Sequence, residues 1–329
     1  MQRIVASVLL LAVSHPLFAL DVTRENVQLF IEEMVDEHEF DRDELTSVLA
    51  EAELKQSIID AISSPAEKKL TWAEYRDIFL TEERIAAGAE FWKEHSEMLA
   101  RIADETGVPE TILVGIIGVE TYYGRITGSF RVLDALATLA FHYPPRSGFF
   151  RKELGEFLLL SREEGMHATE ATGSYAGAMG RPQFMPSSFR AYAVDSTGDG
   201  KRDIWEDWAD VAGSIANYFN EHGWRSGEET VARATLGSAW SGPAPEPANT
   251  LKPEATVSSL SDQGVIFATD QDGGDAAELL ALDGEDGREF WVAFHNFFVI
   301  TRYNRSVMYA LAVHQLGEAV ARETERNAG

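Results

Sequence analysis

Residues 108–124 set the strongest limit on how this chain folds. Pro109 suits the first turn of a helix, and Gly124 suits its C-terminal end. Projected at ~100° per residue, most of the apolar side chains gather on one face, and Glu120 falls in the middle of that face. The apolar residues of this face are Leu113, Ile116 and Ile117. The spacing therefore predicts a core-facing helix that carries one carboxyl group.

A carboxyl group at such a position loses hydration, which disfavours its ionised form, so we expect a raised pKa. A carboxyl that keeps its proton near neutral pH can serve as a general acid. A glutamate paired with an arginine across a helix interface would give the same pattern. Helix position alone does not separate these two interpretations of Glu120.

The N-terminus reads as a secretory signal over residues 1–19. Arg3 precedes an apolar run over residues 4–13, and Ala19 offers a possible cleavage site. No later segment is long and apolar enough to span a membrane, and the absence of cysteine excludes disulfides and an anchor on an N-terminal cysteine. We therefore expect an exported, soluble protein without a lipid anchor or transmembrane segment.

The formal net charge of −26 limits the possible partners. Such a surface repels nucleic acid and anionic membranes, and favours cations or cationic partners. The sequence contains no His-Glu-x-x-His zinc pattern, no phosphate-binding glycine loop and no Gly-x-Ser-x-Gly elbow. Carboxylate chemistry remains as the main catalytic possibility.

The chain of 329 residues is long enough for about two domains, and its pattern predicts a mainly α fold of the α+β class. Residues 20–106 carry apolar residues at helical spacing and form a predicted helical domain. Residues 107–227 form the predicted catalytic core, and residues 296–329 return to it as a C-terminal helix. Between them, residues 228–295 are predicted as a small β domain, because prolines cluster there among short β-prone runs. The predicted strands are residues 230–236, 265–268 and 290–298.

A second informative segment covers residues 173–188. Its glycines let the backbone approach another group closely. Ser174 and Gln183 supply neutral donors and acceptors, which suit sugar hydroxyls and amides, and Phe184 adds apolar surface. A structural turn leading into a helix is the alternative, but the length and polarity of the segment favour the wall of a pocket.

Residues 195–206 match the calcium-binding loop of an EF-hand, with oxygen ligands at alternating positions and a glycine at the sixth. The predicted ligands are Asp195, Thr197, Asp199, the carbonyl of Lys201, Asp203 and Glu206. Asp207 or Asp210 could replace Glu206 as the closing ligand. An acidic turn without metal is the alternative. Because a second EF-hand is missing, we expect calcium to stabilise this loop and not to act as a signal.

These motifs resemble the lytic murein transglycosylase B family, bacterial enzymes that cleave peptidoglycan. The resemblance is densest over residues 108–225 and 301–312. It departs from the family at Tyr122-Tyr123, where Arg-Trp is common, and the chain lacks the lipid-anchoring cysteine of a family relative. The matching segments are residues 115–121, 133–139, 174–188, the calcium-type loop and residues 301–309.

The resemblance implies a lysozyme-like helical core with a helical domain and a small β domain beside it. It implies that Glu120 is the catalytic acid and that the EF-hand-like loop binds calcium, with no organic cofactor. The implied sugar-binding residues are Arg146, Ser174, Gln183, Tyr218, Tyr303, Asn304 and Tyr309. The implied setting is a monomer in the periplasm, with peptidoglycan glycan strands as its partner and other cell-wall enzymes as further candidates.

The expected reaction is a lytic transglycosylation. Hydrolytic glycosidases usually need two carboxylates, whereas only Glu120 stands out here. We expect it to protonate the oxygen between N-acetylmuramic acid and N-acetylglucosamine and then to take a proton from the C6 hydroxyl, leaving a 1,6-anhydro end. Two alternatives stay open: a lysozyme-type muramidase that uses Asp134 or another carboxylate, and a non-catalytic, calcium-stabilised peptidoglycan-binding protein.

Overall fold

The computed structural model describes residues 18–63 and 70–328. The signal peptide predicted over residues 1–19 lies outside the described residues except for its last two positions. The described chain is dominated by helices and has one five-stranded sheet, which confirms the predicted mainly α fold of the α+β class. Among the described residues, no helix is long and apolar enough to cross a membrane.

The N-terminal part is helical, as predicted. Its helices are α1 (Glu25–His38), α2 (Arg42–Ala50), α3 (Gln56–Ser63), α4 (Trp72–Phe79), α5 (Glu82–Glu94) and α6 (Ser96–Thr106), and strands β1 (Phe18–Ala19) and β2 (Glu53–Leu54) pair antiparallel. Helices α5 and α6 are separate within the predicted helical domain, because the backbone at His95 leaves helical geometry. The His95 ring packs on Phe91 and Trp208, a contact with a distant part of the chain.

The core contains five further helices among the described residues up to Glu221. They are α7 (Glu110–Thr121), α8 (Val132–His142), α9 (Ser147–Glu163), α10 (Pro186–Tyr192) and α11 (Trp208–Glu221), with a two-stranded pair of β3 (Phe130–Arg131) and β4 (Thr172–Gly173). Helix α7 is buried on nearly all sides, whereas Glu120 is half-buried near its C-terminal end. The predicted apolar face of this helix is therefore part of a wider buried surface.

An antiparallel sheet of order β6-β8-β9-β5-β7 lies within the predicted β-rich region. Its elements are β5 (Val231–Leu236), β6 (Ala255–Thr256), helix α12 (Val257–Asp262), β7 (Val265–Phe267), β8 (Ala276–Gly284) and β9 (Gly287–Ala293). The predicted strand over residues 290–298 is wrong beyond residue 293, where a helix starts at His295. Strand β8 was not predicted, because its alanines and leucines do not stand out as a strand in the sequence. The domain boundaries themselves stay predictions.

Two C-terminal helices, α13 (His295–Tyr303) and α14 (Val307–Ala328), return to the core. Helix α14 runs antiparallel to α7, and two glycines allow their backbones to meet. A Cβ atom at Gly115 would lie 2.4 Å from the carbonyl oxygen of Val313, and one at Gly317 would lie 2.0 Å from that of Thr111. No other residue fits without moving the helices apart. This close packing brings the start of α14 to Glu120.

Candidate active site

Glu120 is hydrogen-bonded to a buried tyrosine. The hydroxyl of Tyr309, in the first turn of α14, donates to Oε1 of Glu120 over 2.5 Å. Burial, together with the negative charge of Glu120, raises the pKa of Tyr309 well above its usual value of about 10. Tyr309 therefore stays neutral and keeps its proton available for this hydrogen bond.

Tyr303 connects this pair to the glycine-rich segment. Its ring lies parallel to that of Tyr309, with centroids 6.5 Å apart, and its hydroxyl donates to the carbonyl oxygen of Pro182 over 2.6 Å. Tyr218 packs edge-on against Tyr303 at 4.9 Å, and Phe184 contacts both rings. The structure thus brings three predicted tyrosines together with Glu120 and the predicted pocket wall.

Burial limits what these tyrosines can offer a ligand. Tyr309 and Tyr218 are buried, whereas Tyr303 is half-buried. The hydroxyl of Tyr218 donates to the carbonyl oxygen of Arg302 over 2.7 Å, and burial raises the pKa of Tyr218 to about 12. Most of the surface of Tyr309 and Tyr218 is therefore used within the protein, and Tyr303 is the ring with more area open to a sugar.

The two polar residues of the glycine-rich segment are fixed by its backbone. Gln183 adopts a left-handed conformation with φ of 53°, and its Nε2 donates to the carbonyls of Gly180 at 2.8 Å and Thr127 at 3.0 Å. The Ser174 hydroxyl oxygen accepts from the backbone N–H of Ala178 at 3.0 Å. These bonds leave the Gln183 side-chain oxygen as an acceptor and the Ser174 O–H as a donor for a ligand.

Arg146 and Asn304 lie at two other places on the surface of the core. Arg146 is exposed just before α9, and its guanidinium lies over the rings of Phe149 and Phe150 at 4.5 Å and 5.1 Å. Asn304 follows Tyr303 at the end of α13 and lines a separate cavity with Met308. Both residues remain predicted ligand contacts.

The chain turns sharply directly after Glu120. Tyr122 and Tyr123 both have left-handed backbone conformations, with φ of 51° and 56°, which are costly for residues with a side chain. The Tyr122 ring lies between the guanidinium groups of Arg84 and Arg125, at 4.6 Å and 4.9 Å. Arg84 also donates to the carbonyl oxygen of Gly118 over 3.3 Å, near the C-terminus of α7.

These contacts hold the end of the helix that carries Glu120. Tyr122 departs from the family pattern, and Arg84 carries no local signal in the sequence, because the two residues meet only through tertiary packing. Tyr75 on α4 is buried, yet it lies close enough to Tyr309 to contribute to the rise in that tyrosine's pKa.

The predicted calcium loop is built around Asp195. Its Oδ1 accepts the backbone N–H of Gly198 over 2.6 Å, its Oδ2 accepts that of Gly200 over 2.7 Å, and these bonds lower the pKa of Asp195. The buried carboxyl of Asp210 crosses the loop and accepts the N–H groups of Ser196 and Asp203, each at 2.8 Å. Burial raises the pKa of Asp210.

The donor set fits a hard cation only in part. Asp195, Thr197 and Asp199 offer oxygens at alternating positions, as calcium requires. The side chain of Glu206 is 82% exposed and pairs with Arg181 at 3.2 Å, so it does not close the loop. Across residues 18–63 and 70–328, no three acidic or histidine side chains converge as metal ligands in the structure.

Arg181 connects the loop to the helix of Glu120. Its backbone carbonyl accepts the hydroxyl of Thr121 over 3.2 Å, and its backbone N–H donates to the carbonyl of Ile204 over 2.9 Å. Its guanidinium lies 4.0 Å from the ring centroid of Trp208. The loop thus supports the pocket wall next to the residue that follows Glu120.

Asp134 is a structural residue. It is fully buried and ion-paired with Arg131 at 2.7 Å and Lys55 at 3.1 Å, and it accepts the backbone N–H of Glu53 at 2.9 Å. These contacts join β2 to α8. A carboxylate held in this way has no surface on which to bind a substrate water, so the muramidase alternative loses its named base.

Comparison with known proteins identifies the family of this chain. The model of the transglycosylase SLT domain matches residues 23–318. The chain belongs to this family. It is 42% identical over 305 residues to the membrane-bound lytic murein transglycosylase B of Escherichia coli K12, covering 90% of this chain and 82% of that protein. The predicted family and the predicted class of enzyme, a lytic transglycosylase, are confirmed.

Solved structures show the same fold. The lytic transglycosylase SltB1 of Pseudomonas aeruginosa is 48% identical, with a TM-score of 0.85 over 92% of this chain and 98% of that chain. The lytic transglycosylase Slt35 of Escherichia coli, solved in complex with calcium, is 40% identical with a TM-score of 0.82, over 94% of this chain and 97% of that chain. These neighbours confirm the predicted lysozyme-like fold.

Proposed function

We propose that the protein cleaves the bond between N-acetylmuramic acid and N-acetylglucosamine in peptidoglycan, and that Glu120 is the single catalytic acid and base. The observation that carries this proposal is the contact between half-buried Glu120 and the buried hydroxyl of Tyr309, 2.5 Å from Oε1. The names of the relatives support murein as the substrate. Confirmed family membership supports a transglycosylation.

In the first step, protonated Glu120 gives its proton to the bridging oxygen, and the bond from that oxygen to C1 of the muramic residue breaks. Tyr309 donates to Oε1, so Oε2 is assigned as the oxygen that carries the proton. As the proton leaves, Glu120 becomes negative, and the hydrogen bond from Tyr309 stabilises the new carboxylate. Because the neutral hydroxyl of Tyr309 is already in place, it stabilises the carboxylate without any rearrangement of the protein.

In the second step, the C6 hydroxyl oxygen of the same muramic residue attacks C1, and Glu120 takes the hydroxyl proton. The bond to C1 closes a 1,6-anhydro ring, Glu120 regains its proton and no water is consumed. The N-acetyl group of the muramic residue shares the positive charge at C1 between the two steps. A second carboxylate is not required, which fits the structural role of Asp134.

Ser174 and Gln183 would hold the N-acetyl and hydroxyl groups of the glycan, through the donor and the acceptor that the pocket wall leaves for a ligand. Tyr303 would pack on a sugar face, and Tyr309 and Tyr218 would position it. Arg146 and Asn304 would contact more distant parts of the strand. These assignments follow the predicted groove, with the buried tyrosines now given a supporting role.

Calcium would be held by Asp195, Thr197, Asp199, the carbonyl of Lys201 and Asp203. Its contribution would be structural, since the loop supports Arg181 and the pocket wall. The calcium complex of a relative supports this assignment. Asp210 already spans the loop and is the better candidate than Glu206 for closing it. The enzyme would act as a monomer in the periplasm, where glycan strands and other cell-wall enzymes are found.

Mass spectrometry of the products tests the proposal. Purified sacculi digested with the protein should release muropeptides that end in 1,6-anhydromuramic acid, each one water lighter than the hydrolysis product. Reducing muramic ends instead would identify a muramidase and contradict the proposed step. Absence of any soluble muropeptide would identify a binding protein.

A further inference from the structure

Three consecutive residues at the end of α7 have left-handed backbone conformations. Their φ angles are 51° at Tyr122, 56° at Tyr123 and 80° at Gly124. Glycine adopts this conformation freely, whereas a residue with a side chain adopts it at a cost in stability. Two tyrosines therefore stand where glycine or asparagine would fold with less strain. Such strain is found mainly at functional sites, where the surrounding structure holds it in place.

The side chain of Tyr123 adds a second cost. Its ring is buried and stacks on Phe91 of α5, with centroids 5.6 Å apart. Its hydroxyl fits between two helices, since a Cβ atom at Gly88 of α5 would lie 2.3 Å from it and one at Gly118 of α7 would lie 2.7 Å from it. In the part of the chain that the structure describes, no group hydrogen-bonds to this buried hydroxyl. The tight fit fixes Tyr123 between the two helices without the gain of a hydrogen bond.

Helix α5 holds Tyr122 as well. Arg84, one turn before Gly88, lies over the ring of Tyr122 at 4.6 Å and over that of Phe79 at 5.2 Å. The same guanidinium donates to the carbonyl oxygen of Gly118 over 3.3 Å. Because Arg84 is half-buried, water weakens its attraction to the two rings only in part. One face of α5 therefore contacts both tyrosines and the last turn of α7.

These contacts hold the chain on both sides of Glu120. Gly118 lies two residues before it and Tyr122 two residues after it, and Arg84 contacts both. Glu120 itself accepts the hydrogen bond of Tyr309 from the opposite helix, α14, over 2.5 Å. A general acid works only when its carboxyl group is held close to the productive position. Fixing the end of α7 on α5 keeps that carboxyl group in line with Tyr309.

We propose that Tyr122 and Arg84 are positioning residues, and that the strained turn of residues 122–124 holds Glu120 in the orientation for proton transfer. The inference rests on the proposed function and adds residues that act through Glu120. It also predicts a sign. Relaxing the turn should slow the reaction and leave stability unchanged, whereas loss of a purely structural contact should lower stability and leave the reaction unchanged.

Tyr122→Asn is the main variant, because asparagine tolerates the left-handed conformation and cannot stack on Arg84. On soluble glycan strands we expect kcat to fall by about tenfold or more, as for a displaced catalytic group, with KM unchanged. The Tm should stay within about 2 °C of the wild-type value, since relief of strain offsets the lost stacking. Tyr122→Phe keeps the ring over Arg84 and should restore kcat.

Arg84→Met is the second variant, since it keeps the length of the side chain and removes its charge and its hydrogen bond. It should lower kcat by a factor similar to that of Tyr122→Asn. The double variant should lose no more than the larger single loss, because both residues act through one contact. Arg101→Met, at an exposed position on α6, is the control for the loss of one positive charge and should keep wild-type kcat.

Three results would overturn the proposal and leave the proposed function standing. They are a lower Tm with unchanged kcat in Tyr122→Asn, a raised KM with unchanged kcat in the same variant, and kcat losses that multiply in the double variant. A wild-type protein that forms no 1,6-anhydro ends would instead contradict the proposed function. The comparison of kcat, KM and Tm therefore separates positioning of Glu120 from a structural role and from glycan binding.

Discussion

Two carboxylates of this protein, those of Glu120 and Asp195, are held in opposite ways. Asp195 is half-buried and accepts several backbone N–H groups of its own loop, which lower its pKa and keep it ionised. Glu120 is half-buried and accepts a hydrogen bond from Tyr309, a hydroxyl that itself stays neutral. A carboxylate that accepts several backbone N–H groups suits a permanent charge beside a cation, whereas one that accepts from a neutral tyrosine hydroxyl can change its protonation state during a reaction.

Replacing the catalytic carboxyl should give the largest effect. Glu120→Gln keeps the size of the side chain and removes the transferable proton, so we expect kcat to fall by about a thousandfold, within the range for general acid–base catalysis. Release of soluble muropeptides from sacculi measures the loss. The matched control is Glu110→Gln in the first turn of the same helix, which should retain wild-type turnover. Comparable turnover in the two variants would remove Glu120 from the reaction.

Removing the hydroxyl of Tyr309 should have the next largest effect. Hydrogen bonds to charged groups contribute roughly 1.5–3 kcal/mol, so Tyr309→Phe should lower kcat by about 10- to 100-fold. Tyr303→Phe is the control, because it loses its bond to the Pro182 carbonyl and keeps the donor on Glu120. If the Tyr303 variant lost as much kcat as the Tyr309 variant, the tyrosines would act by shaping the pocket.

In the loop, changes should affect stability more than turnover. Asp195→Asn should abolish the rise in Tm that calcium produces, which at 100 times Kd corresponds to about 2.7 kcal/mol. Glu206→Gln should keep that rise, because the Glu206 side chain is exposed and pairs with Arg181. Thermal unfolding with calcium and with a chelator makes the comparison. Loss of the calcium effect in the Glu206 variant would restore that residue as the closing ligand.

The smallest effect is expected from alkaline pH. The pKa values of Tyr303 and Tyr309 are raised by burial and by Glu120, so these phenols stay neutral in the folded protein when exposed tyrosines ionise near pH 10. A raised pKa contributes stability that is complete below the unfolded value and is lost as pH rises above it. The free energy of unfolding should therefore fall as pH rises above about 10, toward the raised pKa values of the folded protein, and less steeply in Tyr309→Phe. Equal slopes in denaturant titrations would contradict this account.

The same contrast explains how much the sequence could predict. The helix of Glu120 and the loop of Asp195 are set by local spacing, and both were found at the predicted positions. What holds Glu120 was harder to predict, because Tyr309 reaches it only when Gly115 and Gly317 let α7 and α14 meet.

Long-range contacts also explain what local patterns left out. Glu206 occupies the twelfth position of the loop pattern, where its role as a calcium ligand stays a prediction, and its side chain pairs with Arg181 of the glycine-rich segment at 3.2 Å. At His95, where helical geometry ends, the ring packs on Trp208, which is more than a hundred residues distant in the chain. Arg84 offered no local signal, since its role depends on stacking against Tyr122. Local patterns therefore located Glu120, the proposed catalytic group, and tertiary contacts decided its surroundings.

Digestion of sacculi in water enriched in heavy oxygen tests the central claim most directly, because it follows the atom that attacks C1. If the C6 hydroxyl closes the ring and Glu120 alone moves the proton, mass spectrometry will find 1,6-anhydromuramic ends without heavy oxygen. Muramic ends that carry heavy oxygen would show that water is the nucleophile and would contradict the account.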